Sequence, residues 1–184
     1  MDFENTGRAN RKRRIFLDTE TTGMSRARIV EVCAIEVDDD FNEIDSFHAF
    51  INPQRKVPWF VTRIHGLNNE FLDDKPIFSD IGRDLLLFLE GSELWAHNMS
   101  FDAGMLNAEF ARNRLPTLEK VDCRLNCTLQ LARSTFPGQK NSLDALLDRF
   151  AIDRSERRLH GAMIDTRLLV KVYQNLVSYR TKTS

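Results

Sequence analysis

The sequence predicts an α/β domain, a five-stranded mixed sheet flanked by helices. Three observations point there. Residues 13–52 hold three strand-like runs joined by short links, the pattern of an antiparallel meander. From Trp59 onward apolar residues recur at helical spacing, and short extended runs interrupt them. The 184 residues, 42% hydrophobic and 29% charged, suit one domain with a sizeable core.

The first strand covers about 13–20. Ile15-Phe16-Leu17 runs straight into Asp18-Thr19-Glu20, and Thr21-Thr22-Gly23-Met24 ends it. An apolar run of this kind is a buried central strand. Side chains alternate along it, so Asp18 and Glu20 share a face. The second strand runs from Arg28 to Asp38, with Asp38-Asp39-Asp40 as a solvated hairpin tip, and the third from Ile44 to Asn52. Trp59 to Ile64 is a short helix, stopped by His65-Gly66 because glycine is favoured just past a helix end. Ile77, Ile81, Leu85, Phe88 and Leu89 line one face of a helix over 76–89. A fourth strand, 93–97, leads to a helix that Ser100 caps and that ends before Pro116. Val121-Asp122-Cys123 is the expected fifth strand, with a helix over 126–136 after it. Ser142 caps a helix carrying Leu143, Leu146, Leu147 and Phe150. The last helix follows His160-Gly161 and reaches about Ser178. The expected domain is therefore 13–179, between a flexible polar and basic tail at 1–12 and a polar tail at 180–184.

Bulk properties narrow the possibilities. With a formal net charge of −1, an acidic partner such as nucleic acid has to meet a local basic patch. Three cysteines, Cys33, Cys123 and Cys127, lack the spacing of a disulfide framework or of paired zinc ligands. No apolar run is long enough to span a bilayer, and the N-terminus lacks the apolar core of a signal peptide. The expected location is the cytoplasm.

Two further carboxylates join Asp18 and Glu20. Asp102 falls in the first turn of a helix that starts at the C-terminal end of a strand, where ligands of open α/β sheets collect. Taken singly it also fits helix-dipole compensation. Asp165 sits among Ile164, Leu168, Leu169 and Val172, and a carboxylate on an apolar stripe needs a partner. His160 lies five residues earlier, which on one continuous helix would turn the two side chains roughly 140° apart. They converge if His160 stands in the loop before the helix, with Gly161 allowing the turn.

Asp18-x-Glu20, then Asn98-x3-Asp102, then His160-x4-Asp165 resembles the ordered three-motif signature of the DEDDh 3′→5′ exonucleases. IFLDTETTGM, IHGL, FLDDKPIF, FPGQKNSLDALLDRF and LHGAMID are similar to the epsilon-type proofreading subunits of bacterial DNA polymerase III, over nearly everything from Arg14 to about Tyr173. The resemblance implies a ribonuclease-H-like fold. It implies 3′→5′ removal of 5′-nucleoside monophosphates from single-stranded or mismatched DNA 3′ ends, beside a polymerase III catalytic subunit. Four carboxylates can hold two divalent cations, and oxygen ligands select Mg²⁺ or Mn²⁺. By resemblance Asp18 bridges the two, Glu20 and Asp165 complete the first site, and Asp102 serves the second. His160 would be the general base. Thr19, Gly23 and Met24 would line the terminal-nucleotide pocket, His65 would abut the terminal bases, and Asn98 and Phe101 would support the second motif. The chain departs from the family at Pro58-Trp59-Phe60-Val61-Thr62-Arg63, where small or polar residues are commoner, and Phe60 offers an extra stacking surface there. An RNA 3′-trimming enzyme of the same superfamily and a non-catalytic nucleic-acid-binding module are the competing readings.

Overall fold

The computed structural model describes residues 13–155 and 159–183, so the expected tail at 1–12 lies outside the described residues. The opening apolar run forms β1 (Arg14–Thr21), followed by β2 (Ile29–Val37) and β3 (Glu43–Phe50). Helices α1 (Trp59–His65), α2 (Asn69–Asp73) and α3 (Phe78–Leu89) come next, then β4 (Glu93–Ala96) and α4 (Met99–Arg112). The chain closes with β5 (Arg124–Cys127), α5 (Thr128–Thr135), α6 (Leu143–Arg149) and α7 (Ala162–Thr183). The five strands make one sheet in the order β3-β2-β1-β4-β5. The first three pair antiparallel, as their short links require, and β4 and β5 join parallel.

Alternation along β1 sorts its side chains between two layers. Ile15 and Leu17 pack with Phe78, Leu85 and Leu89 of α3 and Leu106 and Phe110 of α4. Phe16 points the other way, onto Leu169, Val170 and Tyr173 of α7. The opposite side of α7 presents Leu168, Val172 and Leu176 to α5 and α6. The helix is thus clamped between the sheet and an outer pair of helices. The buried carboxylate of Glu109 ties α4 to the start of β2. It accepts from Arg28 Nε at 2.6 Å and from the Ile29 N–H at 3.3 Å, with Arg112 at 3.5 Å.

Several expectations need correction. The fifth strand is not at Val121–Cys123. Leu118–Val121 is a 3-10 turn, Asp122 adopts φ 56°, and the strand begins at Arg124. After the reversal at Asp122, Arg124 aligns with Glu93 of β4, three residues beyond the expected start at Val121. Helix α2 was unforeseen because its five residues are too few for periodicity to register. Ser100 is not the cap of α4; Asn98, at φ 80°, precedes the helix, and Ser100 Oγ donates to Asn98 Oδ1 at 3.2 Å. The last helix does not stop at Ser178, and the expected tail is helical through Thr183. No proline or glycine interrupts 178–183, Tyr179 packs on Phe136, and Arg180 reaches Ser134 Oγ at 3.2 Å.

Because Glu109 is only 1% exposed, Arg28→Ala leaves a buried carboxylate short of its main partner. We expect a loss of about 2–4 kcal/mol in urea unfolding, and a smaller loss when Glu109→Leu is combined with Arg28→Met.

Candidate active site

The C-terminal ends of the parallel strands β1 and β4 lie together, and the N-terminal ends of α4 and α7 meet them there. By the alternation that sends Phe16 toward α7, Asp18 and Glu20 also face α7. Thr19 faces α4 instead, and its buried hydroxyl donates to Asp102 Oδ1 at 2.8 Å. Asp102 and Asp165 are both buried, in the first turns of α4 and α7. The structure therefore brings all four carboxylates to one end of the sheet.

His160 lies outside α7, as convergence with Asp165 requires. Its Nδ1 is 3.2 Å from Asp165 Oδ2, and its ring is 47% exposed. Its backbone N–H donates to the Ile64 carbonyl at 3.1 Å, which fixes the segment against α1. Among the described residues, Glu20, His160 and Asp165 form a group whose ligand atoms lie within 4.8 Å of one another.

Negative charge is crowded here. Burial, reinforced by the charges of Asp102, Glu20, Asp165 and Glu31, holds the Asp18 carboxyl well above the usual carboxylate range. Burial also pushes Asp102 up to about 7, against hydrogen bonds from Thr19 and the backbone that favour its charged form.

The residues expected to meet substrate are placed variously. Gly23 has φ 139°, and the side chain of Met24 is exposed. Phe101 is half-buried in the first turn of α4. Asn98 lines a cleft of about 720 Å³ with Trp95, Gln130 and Arg133, beside α4 and α5. His65 is buried, with Nδ1 accepting from the Leu67 N–H at 3.0 Å and its ring turned toward the Thr21 backbone. Burial lowers its pKa. Its Leu67 bond closes the end of α1.

Sequence reasoning missed Glu31. This buried residue of β2, paired in register with Glu20, accepts from the Ala162 N–H at 3.1 Å. His48 Nε2 lies 2.8 Å from its other oxygen. Glu31 thus anchors the first turn of α7, just behind His160 and Gly161. The signal was present: a charged residue within an apolar strand run needs partners, the argument already applied to Asp165.

Comparison with known proteins shows the family. A family model described as "Exonuclease" matches residues 15–173. The DNA polymerase III subunit epsilon of Rickettsia conorii is 46% identical over 177 residues, which cover 91% of this chain and 75% of that protein. The subunit of the same name from Buchnera aphidicola is 42% identical over 171 residues, 89% of this chain and 72% of that protein. Among solved structures, exonuclease X in complex with 5′ overhanging duplex DNA superposes with a TM-score of 0.68 at 27% identity, covering 90% of this chain and 91% of the other. Exonuclease I of Methylocaldum szegediense shares the fold, with a TM-score of 0.79 at 18% identity over 92% of this chain and 41% of its own. With four carboxylates and a histidine at one end of a five-stranded mixed sheet, and a family match from Ile15 to Tyr173, the chain belongs to the exonuclease family.

Proposed function

We propose that this chain is a metal-dependent 3′→5′ DNA exonuclease. It removes 5′-nucleoside monophosphates from single-stranded or frayed 3′ ends in the cytoplasm and proofreads for a DNA polymerase III catalytic subunit. The observation that carries this reading is the half-exposed imidazole of His160, held against Asp165 beside three more carboxylates. A base is thereby set next to a cluster of oxygen donors whose mutual repulsion calls for cations.

The residues fit such cations. The donors are oxygens, which suit Mg²⁺ or Mn²⁺, and burial disfavours the charged forms of Asp18 and Asp102 that a cation would stabilise. Asp18, Glu20, Asp102 and Asp165 would hold two of them. Cations bound there would supply Lewis acidity to a water and to the departing 3′-oxygen. With Nδ1–H donated to Asp165, His160 keeps Nε2 as its basic nitrogen and takes the proton of the attacking water. A bond forms from that water oxygen to phosphorus, and the bond from phosphorus to O3′ breaks. The released nucleotide keeps its 5′-phosphate, and O3′ takes a proton from solvent, so the shortened strand ends in a 3′-hydroxyl. Thr19 holds Asp102 in place. Gly23 and Met24 would border the terminal nucleotide, with His65, Asn98 and Phe101 supporting that pocket. Frayed ends enter at less unpairing cost than matched ones, so mismatches are selected without reading sequence.

End-labelled single-stranded DNA and the matching RNA, incubated with Mg²⁺, Mn²⁺ or EDTA, test the reading. We expect DNA laddering from the 3′ end that EDTA abolishes. Preference for RNA would move the chain to 3′-trimming, and no cleavage of either would end the nuclease proposal. His160→Ala should retain Mn²⁺ binding by calorimetry and lose about 10²–10⁴-fold in turnover. Asp18→Ala should lose the metal itself.

Burial of the Asp102 carboxyl also predicts a stability effect. A carboxyl whose folded pKa is raised destabilises the folded state fully above that pKa, and the penalty fades as pH falls toward the unfolded value. Without metal at pH 8, Asp102→Asn should therefore be more stable than the parent, by about 1–3 kcal/mol. The gap should narrow as pH drops below about 7, the value to which burial lifts Asp102. Saturating Mn²⁺ should raise the melting temperature of the parent more than that of the variant.

A further inference from the structure

We propose that the outward face of α1, built on Trp59, Phe60 and Arg63, is a stacking platform for the single-stranded DNA just upstream of the 3′-terminal nucleotide. This rests on the nuclease reading above and adds to it where the strand runs as it leaves the site.

The helix is patterned the wrong way round for one that only packs on its own protein. Its inner side buries Val61 and His65. Its solvent side carries Trp59 at 70% and Phe60 at 58% exposure, with Ile64 also exposed. Ordinary amphipathic patterning would place polar side chains at those positions. Large rings left in water side by side mark a surface that receives something. The two rings stand edge to face, 6.2 Å apart at 86°. The guanidinium of Arg63 lies over the Trp59 ring, 5.8 Å from its centre.

Position and charge identify the occupant. The C-terminal end of α1 is part of the site, since the Ile64 carbonyl receives the His160 N–H at 3.1 Å. From His65 back to Trp59 the helix rises about 9 Å. That is the length of two to three bases at a stacked spacing of about 3.4 Å. Arg55 and Lys56, both exposed, precede the helix, and no acidic residue stands in its first turn. Flat rings interleaved with cations, continuous with a site for strand ends, fit unpaired bases and their phosphates. A paired duplex hides the base faces that such rings would meet.

Steady-state kinetics on two substrates provides the test. One is a long oligothymidylate. The other is the p-nitrophenyl ester of thymidine 5′-monophosphate, which has a phosphodiester to break and no upstream bases. For the double variant Trp59→Ala/Phe60→Ala we expect KM on the oligonucleotide to rise about ten- to hundredfold, with kcat within about twofold. Ester hydrolysis should match the parent, and Trp59→Phe/Phe60→Tyr should restore most of the oligonucleotide KM. An unchanged oligonucleotide KM would overturn the platform, and so would an equal loss on both substrates. So would unchanged DNA kinetics with lost binding of a purified polymerase catalytic subunit, which assigns the face to a protein. Should the parent cut neither substrate, the nuclease function fails separately. The platform is then read from tryptophan fluorescence in EDTA, where oligothymidylate quenches the parent but not Trp59→Phe if the platform exists, and an unquenched parent excludes it.

Discussion

Like charge packed at the end of a buried strand is the constraint on which this molecule is built. Asp18 feels four neighbouring carboxylates while largely withdrawn from water, a position no isolated strand could sustain. The surrounding protein holds it there. Strand β1 is packed on both faces, and the helices that bring Asp102 and Asp165 each belong to a separate apolar cluster. Neither helix can retreat from the repulsion without opening a core. The stability given up at the site is supplied by packing on either side of it, a division common where function demands an unfavourable arrangement.

The supports of the site form a second network. Thr19 steadies Asp102 from the opposite face of β1, and Glu31 fastens the first turn of α7 through a main-chain N–H. Each turns a neighbouring residue of the sheet into a brace. The buried first turns of α4 and α7 are therefore braced by residues other than the exposed imidazole.

Much of this was legible in the sequence for identifiable reasons. The central strand announced itself through three apolar residues followed by acids at alternate positions, and alternation put Asp18 and Glu20 on one face. The need to pair a carboxylate on an apolar helix placed His160 before the helix, where it lies. The ends of elements were less legible. Asp122 in a left-handed conformation shifted β5 downstream, and Asn98 took the place expected of Ser100 as the residue entering α4. Both depend on backbone turns that polar residues adopt under tertiary demand rather than by propensity. Glu31 escaped because its apolar neighbours dominate the pattern of β2, and its partners lie 17 and 131 residues away. Separation of that order carries no local signature.

The bond from the His160 N–H to the Ile64 carbonyl ties the imidazole segment to a helix end rather than to the sheet. Gly66, whose added Cβ would come within 2.7 Å of Leu159, keeps the two segments in close register. Any tilt of that helix carries the histidine with it, while the carboxylates stay on the sheet and its two long helices. Strain arriving at α1 is thus passed to the imidazole segment first and to the buried carboxylates last.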